Sequence, residues 1–84
     1  MKNKYILESL ASDLKRVAIG KYRGSINMAN RFLKEAIKRK QELEMENIEG
    51  YIKKFLNKIN KNIEADDALM YSTLIQNYTQ HKTT

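Results

Sequence analysis

Apolar or small residues recur at Leu7, Ala11, Leu14, Ala18, Tyr22, Ser25, Ala29, Phe32, Ala36 and Leu43. Steps of three and four place such residues on one face of an α-helix. The phase runs unbroken across Gly20 and Gly24, so two outcomes are open. One is a single helix of about forty residues, in which each interior glycine costs roughly 1 kcal/mol relative to alanine. The other is a break near residues 20–25. Glycine accepts the left-handed conformation just past a helix end, and Ser25 suits an N-cap. The spacing predicts the break.

The first helix is then expected over residues 3–20, with Tyr5, Ile6, Leu7, Leu10, Leu14 and Val17 near its core face. The second is expected over about 23–45, with a stripe of Ile26, Ala29, Phe32, Leu33, Ala36 and Ile37. In EMENIEG, Asn47 would cap a third helix or Gly50 would end the second. Ile48, Ile52, Phe55, Ile59 and Ile63 keep helical spacing. Lys58 and Lys61 would close that helix, and Glu64, Asp66 and Asp67 would open a fourth. Cations suit a last turn and acids a first. The fourth helix is expected to reach about Tyr78, leaving a frayed tail from about residue 79. No segment alternates as a strand.

These elements predict an all-α fold, a small antiparallel array of three or four helices forming one domain over residues 1–84. The alternative is a long hairpin with the first two helices fused. At 84 residues the core is thin, and such chains often oligomerise. Ile6, Leu10, Val17, Ile26, Leu33 and Ile37 widen the first two apolar faces beyond a narrow seam. That width predicts a homodimer through the first two helices, with the small row Ala11, Ala18 and Ser25 permitting close approach.

Between the amphipathic stretches stands Gly-Lys-Tyr-Arg-Gly-Ser-Ile, residues 20–26. This pattern resembles the inter-helix turn of tetratricopeptide-type repeats and the start of the second helix in HEPN-type domains. No second repeat copy follows. The arginine and histidine pair of HEPN ribonucleases, four to six residues apart, is absent. The resemblance implies at most a degenerate HEPN-like toxin–antitoxin component, and no functional residue carries over.

Charge changes the picture more than composition does. The net charge is +6, but residues 15–40 carry nine basic residues and one acid, Glu35. Residues 41–50 hold four glutamates and no base. On the second helix Arg31, Lys34 and Lys38 share a face, with Arg23 close by and Arg39 near its end. On the third, Lys54, Lys58 and Lys61 would form a similar row. Were the two helices antiparallel neighbours, the rows would merge into one positive surface suited to phosphate backbones. These eight residues are the candidate nucleic-acid contacts.

Chemistry beyond charge is sparse. There are no cysteines, and the single histidine, His81, has no acid partner nearby in sequence. Asp66 and Asp67 are adjacent, and consecutive helical side chains point about 100° apart, which makes a poor shared site. No nucleophile elbow or phosphate loop is present. The expectation is a non-enzymatic protein without metal or cofactor, in the cytoplasm, since no apolar run approaches a membrane span. Two functions follow: a nucleic-acid-associated accessory factor, or a protein-interaction module acting through apolar and tyrosine faces.

Overall fold

The computed structural model describes residues 2–82, with side chains placed for residues 3–81. Four α-helices occur: α1 (Lys2–Tyr22), α2 (Ile26–Gln41), α3 (Gly50–Leu56) and α4 (Ala65–Lys82). A 3₁₀ turn, Met45–Asn47, precedes α3. Among the described residues there is no strand. The all-helical array is therefore observed, and the fused hairpin is not.

The break between α1 and α2 is built by Gly24, which has φ +73°. The Ser25 amide donates to the Gly20 carbonyl (2.7 Å), and the Gly24 amide donates to the Lys21 carbonyl (3.1 Å). This is the paired 6→1 and 5→2 bonding of a Schellman helix end, which requires the left-handed residue that glycine supplies. Ser25 occupies the N-cap position of α2 but makes no side-chain cap bond. Gly20 has a separate role inside α1. A Cβ there would lie 2.9 Å from the Ala29 amide nitrogen, so the two helix backbones approach closely at this point.

α1 is the central element. It packs against both α2 and α4. Ile6, Leu7, Leu10, Ala11, Leu14, Val17 and Ala18 are all buried. The width of its apolar face is thus used within the chain, by two partners. α2 and α4 both run antiparallel to α1, as the pairs Asp13–Arg39, Gly20–Ala29 and Ala11–Ser72 require. α3 runs back along α4, with Tyr51 against Tyr78 and Phe55 against Tyr71, ring centres 5.9 and 5.6 Å apart.

Several helix limits differ from the periodicity. α2 stops at Gln41 because the chain turns to bury Leu43 and to reach Asn3. The buried Asn3 amide binds the Glu44 backbone twice, donating to its carbonyl (3.0 Å) and accepting from its N–H (2.9 Å). Asn47 ends the 3₁₀ turn and does not cap α3, and Gly50 opens α3 and does not end α2. α3 stops at Leu56, short of the expected Lys61. Ile59 and Ile63 are buried nonetheless, from a turn segment that includes an Asn60 side-chain bond to the Asn62 amide (2.8 Å). α4 continues beyond Tyr78, and Thr79 is buried with its hydroxyl donating to the Gln76 carbonyl (2.8 Å). Residues 79–82 of the expected frayed tail are thus helical, and Thr83 and Thr84 lie outside the described residues. Tyr5 and Ile26, expected near the core, are 69% and 59% exposed. Phe32 and Phe55 are half-buried at the core edge.

Candidate nucleic-acid interface

The eight basic residues separate into three groups. Arg31, Lys34 and Lys38 are exposed on α2. Their i, i+3, i+7 spacing puts them on one face. None of the three forms an ion pair among the described residues. Arg23 is also exposed, in the turn before α2.

Arg39 belongs to a different environment. Its Nε donates to Asp13 Oδ2 across the α1–α2 groove at 2.8 Å. Burial raises the Asp13 pKa above its ordinary 3.8, although the hydrogen bond and charge of Arg39 pull the other way. Asp13 is the more enclosed partner, its side chain 9% exposed against 33% for Arg39. Arg39 thus serves the helix pair and is withdrawn from the candidate phosphate contacts.

Lys54, Lys58 and Lys61 do not form a helical row, because α3 ends at Leu56. All three are exposed, the last two on the segment between α3 and α4. The expected merging of two helical rows does not occur either, since Lys58 and Lys61 lie beyond the end of α3, whose rings pack on α4. Lys40, outside the expected set, donates from Nζ to the Ile59 carbonyl (3.0 Å) and ties the end of α2 to that segment.

The fold brings in one residue that spacing could not place. Arg16, exposed on α1, holds its guanidinium 5.4 Å from the Phe32 ring centre, and Arg31 holds its own 5.9 Å from the same centre. Arg16 also donates to Ser12 Oγ (2.6 Å). Guanidinium groups over an aromatic face are attracted by the ring quadrupole, which orders them at little cost in solvation. Glu35, the acid of this basic stretch, lies close enough to raise the Asp13 pKa and so offsets part of the local charge.

The proposed small-residue interface falls elsewhere. Ala11 and Ala18 are buried in the chain's own core, and Ser25 is half-buried at the α2 start. A second copy could reach the alanines only if the helices separated. Ser72, from α4, donates to the Ala11 carbonyl (2.7 Å), which shows what the small side chain at 11 admits. Asp66 accepts a hydrogen bond from the Tyr22 hydroxyl, joining the end of α1 to the start of α4 and raising the tyrosine pKa.

The described residues offer other concavities. A groove of about 310 Å³ lies between the α1 start, the 3₁₀ turn and the α4 end, lined by Leu7, Ile48, Tyr78 and Thr79 among others. Among the described residues no three His, Asp or Glu side chains come together in a way that would hold a metal ion. Among the described residues no helix is long and apolar enough to cross a membrane. Comparison with known protein families, with characterised proteins and with solved structures gave no match.

Proposed function

We propose that this chain is a cytoplasmic, non-catalytic accessory protein that binds the phosphate backbone of nucleic acid through α2. The observation that carries this reading is the row Arg31, Lys34 and Lys38, exposed and without ion pairs on one helix face. Arg23, exposed in the turn before α2, adds a further cation near the start of that helix. Lys54, Lys58 and Lys61 add to the long-range positive field without belonging to the row. Binding of this kind releases counterions and takes little account of sequence. A mobility-shift comparison tests it: wild type should retard an oligonucleotide at about 50 mM salt. The triple variant Arg31→Gln, Lys34→Gln, Lys38→Gln should not, while melting as wild type does. Equal binding by both proteins would move the interface elsewhere.

A second reading, self-association, is supported by Tyr22, Ile26, Leu69 and Met70, each at least 40% exposed. Tyr22 meets Asp66, so the start of α4 adjoins the α1–α2 turn there. A two-fold pair of chains would cover such residues.

A further inference from the structure

We propose that Arg16 and Arg31, ordered against the Phe32 ring, form a fork that grips one phosphodiester group of a nucleic-acid strand. This rests on the reading of α2 as a phosphate interface and specifies where that interface is strongest. The two arginines come from different helices, yet both guanidinium carbons stand within cation–π range of one ring centre, at 5.4 and 5.9 Å. Phe32 is half-buried and packs on the core, so its ring is a fixed platform.

Arg16 is further oriented by its bond to Ser12, which occupies one of its five N–H donors and leaves the others available. Among the described residues neither arginine has a carboxylate partner within ion-pair distance, in contrast to Arg39 on Asp13. Two planar donors held in place meet a phosphate with little ordering left to lose, and charged planar forks match phosphate oxygens better than ammonium groups do. Lys34 and Lys38 continue from the fork along α2, one and two turns on from Arg31. They supply charge without fixed geometry. Phe32 is a positioning residue, and Glu35 and Asp13, the latter within electrostatic reach of Arg16, are the local acids that oppose the site.

The distinguishing experiment keeps the charge and removes the fork. The double variant Arg16→Lys, Arg31→Lys changes only exposed side chains and should melt as wild type does. Oligonucleotide affinity at about 50 mM salt should fall about fivefold or more. The slope of log affinity against log salt should stay nearly constant, because the number of cations is unchanged. Phe32→Leu should produce the same loss, and Glu35→Gln should tighten binding. If the lysine pair binds as tightly as wild type, the fork is overturned while the charged α2 face stands. If wild type binds no oligonucleotide, both readings fall. Retention on vesicles of anionic phospholipid without oligonucleotide binding would also overturn the proposal, since the phosphate would then belong to a lipid surface.

Discussion

Three glycines in this chain have three different roles, and substitution separates them. Gly24 sits at φ +73°, where an L side chain is strained, so Gly24→Ala should cost about 1–2 kcal/mol. Gly20→Ala places a Cβ against the Ala29 backbone and should cost about 1–3 kcal/mol through displacement of α2. Gly50 opens α3 with free space around its Cα, so Gly50→Ala should stabilise by about 0.4–1 kcal/mol. Urea denaturation of the three variants checks the order, and equal effects would contradict these roles. Asp13 is the other residue with a defined expectation. Its folded pKa lies above 3.8, so the folded chain binds more protons than the unfolded chain just above that pH. Its ionisation therefore subtracts from stability as pH rises through that window, and the loss is recovered as pH falls. A carboxyl-detected NMR titration should place the Asp13 midpoint above 3.8; a midpoint at or below it would show that Arg39 outweighs burial.

At the scale of elements, the all-helical type and the order of the segments were legible, because long stretches keep a 3.6-residue period, while the count was narrowed only to three or four. Helix ends were not, because tertiary contacts set them. Lys38, Arg39 and Lys40 mark a last turn in the sequence, but not its exact residue; the chain beyond Gln41 is held by Asn3, about forty residues earlier, bonding the Glu44 backbone. Asn3→Ala should cost about 1–3 kcal/mol and speed hydrogen exchange at the Glu44 amide. Unchanged exchange there would mean the loop is held by Leu43 and Ile48 alone. Ile59 and Ile63 kept helical spacing while lying on a turn, since burial rewards an inward apolar side chain whatever the local backbone. The α2 row was legible for the opposite reason: Arg31, Lys34 and Lys38 sit in the interior of a regular helix. Arg16 was not, because its meeting with Phe32 depends on the α1–α2 crossing at Gly20.

At the scale of the whole molecule, the wide apolar face of α1 is shared between α2 and α4, so width alone does not call for a second copy. Of the exposed large apolar residues Tyr5, Tyr22, Ile26, Tyr51, Leu69 and Met70, the self-association reading uses Tyr22, Ile26, Leu69 and Met70. If they join two chains, sedimentation at tens of micromolar should give about twice the 9.9 kDa chain mass, and Ile26→Glu should restore the single-chain mass. A wild-type mass of 9.9 kDa would set that reading aside. The charge reading does not depend on it, because the basic row and the acidic 42–49 connection are features of one chain, exposed at Arg31, Lys34, Lys38, Glu42, Glu44, Glu46 and Glu49. The central claim, that α2 meets a phosphate backbone, is tested most directly by oligonucleotide affinity measured across salt concentrations. On duplex DNA wild type should give a log–log slope of about −3.6 to −4.5, as expected for four or five neutralised phosphates. A slope near zero, or no binding at about 50 mM salt, would contradict it.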